Sequence, residues 1–246
     1  MEEEVRSFIR EYVESYGVER GIGWRKPLIA FADASDPLFL KLRKVASPKH
    51  MLPSQLLADA KTVISYFIPF REEIVLSNAG GREASREWAL AYIETNRLLE
   101  DLGEALARWL ETLGFKAVPL PPTHNFDEER LVSEWSHKHV AYIAGLGRFG
   151  LHGMLITEGG CCGRLGSLVT NVRLKPTPRP SVECCLQKRG EPCGRCVENC
   201  SFGALKHDSF DKHRCYEVCL QNVRLHADLG LSLIHISEPT RPRLIS

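Results

Sequence analysis

With 246 residues and 27.7 kDa, the chain is long enough for one sizeable core plus a small appended module. Hydrophobic residues at 43% and charged residues at 26% exclude a disordered or fibrous polymer. Lysine and arginine total 32 against 31 acidic residues, so the net charge of +1 supplies no global attraction to nucleic acid or membrane, and an anionic partner must be met locally.

The start, MEEEVRSFIREYV, is acidic and amphipathic, unlike the basic and then apolar start of a secretory signal. No later stretch reaches the roughly 18 apolar residues of a membrane span. The sequence therefore predicts a cytoplasmic protein that does not enter a membrane. Val5, Phe8, Ile9, Tyr12, Val13 and Tyr16 recur at helical spacing and Gly17 follows, which predicts a first helix. The short apolar runs Leu28 to Ala32 and Thr62 to Ile68 predict strands, with helices around Leu38 to Val45 and Gln55 to Lys61.

A long helix is expected from about Ala84 to Leu113, with Trp88, Ile93, Leu98, Leu102, Leu106 and Leu110 on one broad face and Gly114 ending it. Phe115 to Leu120 then predicts a strand, Pro121 to Asn125 a loop and Glu128 to Ile143 a further helix. Met154 to Thr157 and Leu168 to Leu174 complete the strands. Lys175 to Ser181, KPTPRPS, holds three prolines in seven residues and predicts a linker. The expected division is a core over 1–175 and a cysteine module over 182–230.

The last stretch has a different character. LSLIHISEPTR, Leu231 to Arg241, is what transposase-adapter DNA from sequencing libraries encodes in one frame. Residues 231–246 are therefore expected to be an adapter read-through, set aside from fold reasoning, with native sequence continuing past Gly230.

Seven of the nine cysteines fall between Cys184 and Cys219. Clustered thiols in a chain without an export signal point to metal rather than to disulfides. From Cys185 the spacing is C-x7-C-x2-C-x3-C through Cys193, Cys196 and Cys200, followed by Cys215 and Cys219. Thiolates this close on a tight loop suit an iron–sulfur cluster. The bacterial ferredoxin run is C-x2-C-x2-C-x3-C-P; this chain keeps the last two gaps, lengthens the first and has Ser201 in the proline position. Zinc would want two C-x2-C pairs, and only Cys193 and Cys196 form one. In a two-cluster run the fourth cysteine ligates the other cluster, which assigns Cys185, Cys193 and Cys196 to one and Cys200 with Cys215 to the second, Cys219 being a spare or a substitute. Cys184 competes with Cys185.

Gly145, Gly147 and Gly150 spell G-x-G-x-x-G. A dinucleotide fingerprint needs a strand before it, a helix after it and an acid about 20 residues on. Here the order is reversed and Val169 to Asn171 offer no acid, so tight turns or a close backbone approach are expected instead.

AGLGRFG (Ala144 to Gly150), GCCGRLGSLVTN (Gly160 to Asn171), the cysteine run with GAL (Gly203 to Leu205) and HRCYEVCL (His213 to Leu220) occur in that order, and together they resemble the epoxyqueuosine reductase family. That family consists of cobalamin-dependent iron–sulfur enzymes related to reductive dehalogenases. The resemblance covers roughly Glu134 to Leu220; residues before 120 fit it loosely. It implies an α+β protein with an α/β cobalamin-binding core, a C-terminal ferredoxin-like domain with two 4Fe-4S clusters, and reduction of an epoxide in a modified tRNA nucleoside to an alkene. It also implies tRNA as a partner and an external electron donor of ferredoxin or flavodoxin type. Gly160 and Cys161 inherit the place of cobalamin neighbours. The proton donor that the resemblance implies, an aspartate counted seven residues back from Ala144, falls here on His137, which can also donate a proton near neutral pH. Asp127 is the nearest upstream acid. The other readings of the same residues are a small-molecule reductase of dehalogenase type and an electron-transfer protein without cobalamin. Between Arg164 and Arg195 seven basic residues face only Glu183 and Glu191, a local excess that suits phosphates.

Overall fold

The structure, a computed structural model, describes residues 1–80, 82–122 and 125–230. The expected adapter segment lies outside the described residues. The elements run α1 (Glu2–Arg20), β1 (Leu28–Asp33), α2 (Leu38–Val45), α3 (Pro53–Leu56), β2 (Thr62–Pro69), α4 (Glu72–Ser77), α5 (Arg86–Thr112) and β3 (Ala117–Leu120). They continue with β4 (Phe126–Asp127), β5 (Val132–Ser133), α6 (His137–Ala144), β6 (Gly147–Phe149), β7 (Leu155–Thr157), β8 (Gly163–Thr170), α7 (Arg195–Glu198) and α8 (Lys212–Leu225).

Four strands form one sheet in the order β1-β2-β8-β3, every pair antiparallel. All eight residues of β2 are buried, as expected of a central strand covered on both faces. Alternation then sorts its side chains: Ile64, Tyr66 and Ile68 meet the leucines of α5 and the apolar stripe of α1, while Val63 and Phe67 meet α2 and α6. Burying Leu98, Leu99, Leu102, Leu106 and Leu110 of α5 contributes about 1.5–3 kcal/mol each. Ser65 and Ser167 lie opposite each other in the β2–β8 register, on the face turned to α6. That pairing puts hydroxyls beneath the first residue of α6, His137.

The fold is mixed helix and sheet, as the sequence implies, and the long helix and the first two strands lie where expected. Three local expectations need correcting. The helix predicted over Glu128 to Ile143 is only α6. The Asp127 carboxylate accepts the backbone N–H groups of Glu129 and Arg130 at 3.0 and 2.9 Å, closing a turn. Leu131 then takes a left-handed φ of 53°, which no helix carries. The helix predicted over Gln55 to Lys61 is the single turn α3, because Leu57 goes extended at φ −143° and ψ 113°. The last strand starts at Gly163 rather than Leu168, since β8 pairs with β2 along its whole length, Pro69 opposite Gly163.

The proline-rich segment 175–181 is tied to the sheet. The backbone N–H of Thr177 donates to Phe31 O at 2.9 Å, and Phe31 N–H donates back to the Thr177 hydroxyl at 3.1 Å. Further on, the end of α8 clamps Ala84, just ahead of the α5 N-cap Ser85: Asn222 Oδ1 accepts from Ala84 N–H and His226 Nε2 donates to Ala84 O, both at 2.8 Å. The α8 end of the cysteine segment is thereby anchored to the core.

Candidate active site and cysteine module

The G-x-G-x-x-G run forms the turn out of α6 and the small β6–β7 sheet. Gly145 ends α6 at φ +93°, and a Cβ on Gly147 would stand 2.1 Å from Ile156 O. These glycines serve backbone packing, as their context predicts.

Beside this turn lies a cleft lined by Phe67, Trp135, His137, Cys161, Arg164 and Leu165, among others. Its polar wall is a relay under α6. The Trp135 indole N–H donates to Ser167 Oγ at 2.9 Å, and Ser167 Oγ also stands 2.9 Å from His137 Nδ1. His137 Nε2 is 2.9 Å from Pro121 O, and a carbonyl only accepts, so Nε2 carries a proton. Ser167 Oγ keeps a second lone pair and its own proton after receiving from Trp135, so it can accept from Nδ1–H of an imidazolium or donate to a bare Nδ1, and it serves both forms of His137. A second histidine, His50, holds this arrangement from behind. Fully buried, it stacks on Trp135 at 5.4 Å, bonds Met51 O through Nδ1 at 2.8 Å and accepts Ser136 N–H at Nε2 at 3.1 Å.

The other wall carries a buried cation. Arg164 is 6% exposed, donates from Nε to Asn96 Oδ1 at 2.9 Å and lies 4.2 Å over the Tyr92 ring. Gly160 sits at φ +85°, with nothing within 4 Å of where a Cβ would be. The Cys161 thiol is pushed far above the ordinary thiol range, first by its hydrogen bond with Cys162 and then by burial. It is therefore a neutral thiol.

The cysteine run folds as loops around the short helix α7. Cys185 is buried and Cys184 exposed. Cys185 Sγ accepts Leu151 N–H at 3.4 Å, and Cys200 Sγ accepts Leu205 N–H at 3.3 Å. Backbone amides aimed at sulfur are what cluster thiolates need, since they spread the charge and set the potential. Cys193 and Cys196 are half-buried on the same run. Cys215 and Cys219 lie one turn apart on α8; their mutual hydrogen bond and burial raise the Cys219 thiol. As the side chains stand, no three metal-ligating residues come together among the described residues. The chemistry of the donor set, soft thiols with amide-bonded sulfurs, fits iron–sulfur clusters. The cleft beside Cys161 encloses only about 50 Å³, well below the roughly 300–1,000 Å³ of a cofactor pocket. The side chains as they stand do not enclose a corrin.

The basic excess is largely paired locally. Arg179 meets Asp36 at 2.7 Å, Lys188 donates to Phe149 O at 2.6 Å, Arg189 pairs with Glu191, and Arg164 faces the cleft. Sequence reasoning missed Ser167, Trp135 and His50. Ser167 and Trp135 lie within or beside the motif segments, while His50, in SPKHMLP, carries no sequence signal.

No family model matches the sequence, and no curated protein does. Solved structures do match. The chain superposes on epoxyqueuosine reductase from Streptococcus thermophilus with a TM-score of 0.56 and 22% identity over 92% of its own length. The fold is that of the epoxyqueuosine reductase structures. The same enzyme from Bacillus subtilis, with its aspartate-bearing catalytic loop swung out of the active site, matches with a TM-score of 0.55 at 17% identity over 98% of this chain. An epoxyqueuosine reductase with a modified tRNA-Tyr stem loop matches with a TM-score of 0.55 at 18% identity over 97% of this chain. The chain spans 64% of the Streptococcus protein and 68% of each of the other two. No helix among the described residues is long and apolar enough to cross a membrane.

Proposed function

We propose that this chain is an iron–sulfur oxidoreductase of the epoxyqueuosine reductase kind, acting in the cytoplasm on a modified nucleoside of tRNA. The observation that carries the reading is the coincidence of that fold, matched over 92% of the chain, with the cysteine run from Cys185 to Cys200. Deoxygenating an epoxide to an alkene consumes two electrons and two protons and releases water. Electrons call for a conduit, and the cysteines supply one. Cys185, Cys193 and Cys196 would serve one 4Fe-4S cluster and Cys200 with Cys215 the second, Cys219 being a spare or a substitute, in a ferredoxin-like module over 182–230 fed by a ferredoxin or flavodoxin-type donor.

The core over 1–175 would hold substrate and cofactor. Cobalamin belongs to the reading through the resemblance, with Gly160 and Cys161 as its neighbours; the cleft of about 50 Å³ beside Cys161 would have to widen to admit it, and when bound it would supply a strongly reducing metal centre. His137 would act as the acid. As the imidazolium it would hold one proton at Nε2 against the Pro121 carbonyl and one at Nδ1 against Ser167 Oγ; delivery of the Nε2 proton to a substrate oxygen requires that carbonyl to yield and leaves the neutral Nδ1–H imidazole. Arg164, cationic and buried in the same cleft, would orient an anionic group of the substrate.

The test is anaerobic reconstitution with iron and sulfide, addition of cobalamin, and incubation with epoxyqueuosine-containing tRNA and a reduced donor. The expected result is a corrin signal retained by the protein and conversion of the epoxide to the alkene. Iron–sulfur absorbance with neither would overturn the enzyme reading and leave an electron-transfer protein.

A further inference from the structure

A second cavity, larger than the cleft at His137, opens between the C-terminal half of α1, the loop 21–27 and Arg71. It measures about 660 Å³, within the usual range of small-molecule sites, about 300–1,000 Å³. Among the described residues four cations line it, Arg10, Arg25, Lys26 and Arg71, against the single acid Glu14. Arg10 Nε is buried and finds no hydrogen-bond partner among the described residues. Nε itself is enclosed, so a ligand would meet the rest of this half-buried guanidinium, for which an oxyanion is the natural complement.

The walls are set before any ligand arrives. Ile22 N–H donates to Gly17 O at 3.0 Å and Arg25 N–H to Pro69 O at 3.1 Å, which pins the loop to α1 and to the end of β2. Trp24 commits its indole N–H to Thr95 Oγ1 at 2.7 Å, so its ring serves as an apolar wall. Arg71 crosses the loop, its Nη1 lying 2.9 Å from where a Gly23 Cβ would be, and is steadied by Glu73 at 2.8 Å. An aromatic wall beside four cations suits a base or sugar carrying a phosphate better than it suits a bare carboxylate.

From this we infer that the groove binds the phosphate of a nucleotide-sized ligand, with Arg10 and Arg71 on the oxyanion. The site is separate from the cysteine module, and the inference does not depend on the redox reading.

The experiment is calorimetric titration of the full chain with AMP at low and high salt, with inorganic phosphate as a second probe. Saturable AMP binding is expected, weakening with salt and tighter than phosphate. Arg10→Ala and Arg71→Ala should each lower affinity at least about tenfold, the scale of losing a charge-assisted hydrogen bond. Lys212→Ala, outside the groove, should leave it unchanged. Melting curves identify any variant that has lost the fold, and Arg10→Lys, which keeps a charge on the same helix, should retain part of the affinity. A tRNA stem loop that displaces AMP would assign the oxyanion to RNA; AMP binding undisturbed by it would assign a free nucleotide. No AMP binding up to roughly millimolar concentration, or equal affinity in the Arg10→Ala/Arg71→Ala double variant, would overturn the proposal.

Discussion

Ser167 is the joint on which the candidate site turns, and replacing it with alanine tests the relay directly. The residue is fully buried, and its hydroxyl accepts from the Trp135 indole and bonds His137 Nδ1. Alanine leaves the indole N–H, on a side chain 1% exposed, without an acceptor, and removes the hydroxyl partner of His137 Nδ1. A stranded buried donor costs about 1–3 kcal/mol, and a lost neutral hydrogen bond about 0.5–1.5 kcal/mol. The sum is about 1.5–4.5 kcal/mol, a large share of the roughly 5–15 kcal/mol that holds a domain together. Urea unfolding should show a lower midpoint with an unchanged slope. The control is the same change in a Trp135→Phe background, where no indole donor remains to strand. There Ser167→Ala should cost only about 1 kcal/mol, so the two changes couple. A cost below about 0.5 kcal/mol in the native background, or the same cost in both, would refute the relay.

Two further outcomes follow from the cysteines. Cys193→Ser or Cys196→Ser should lower the iron content of the reconstituted protein far more than Cys162→Ser, because only the first two lie in the closely spaced run; equal losses would reverse the ligand assignment. Alkylation of Cys161 by iodoacetamide should stay slow through neutral pH and rise only well above the pH at which an ordinary thiol ionises, since its hydrogen bond with Cys162 and its burial favour the protonated form. Rapid labelling at neutral pH, read by mass spectrometry of the modified peptide, would show that this thiol is not held neutral.

Periodicity and composition determined the parts of this protein whose cause is local. The apolar stripe from Trp88 to Leu110 can only be satisfied by a buried helix face, and the β-branched run Thr62 to Ile68 by a covered strand; both lie where the pattern places them. The cysteine spacing, likewise local, marks the segment proposed to carry the metal chemistry. What the pattern misjudged was decided over short distances by polar side chains acting on backbone. Asp127 capturing two N–H groups, followed by left-handed Leu131, ended a helix that the apolar spacing alone would have continued.

The site itself required the tertiary structure. His137 is readable as a candidate from its distance to AGLG, but its hydrogen-bond partners are Ser167, which lies 30 positions away, and Pro121, 16 positions before it. They reach it because β8, paired with β2, turns Ser167 toward α6, and because β3, paired with β8, ends at Leu120 just before Pro121. Likewise His50 stands behind Trp135 from 85 residues away, and the cationic groove gathers Arg10, Arg25 and Arg71 from three segments. Hydrogen bonds and charges act over a few ångströms of space, whereas the sequence records only separation along the chain. Contacts between distant segments therefore exist only after the sheet has brought them together.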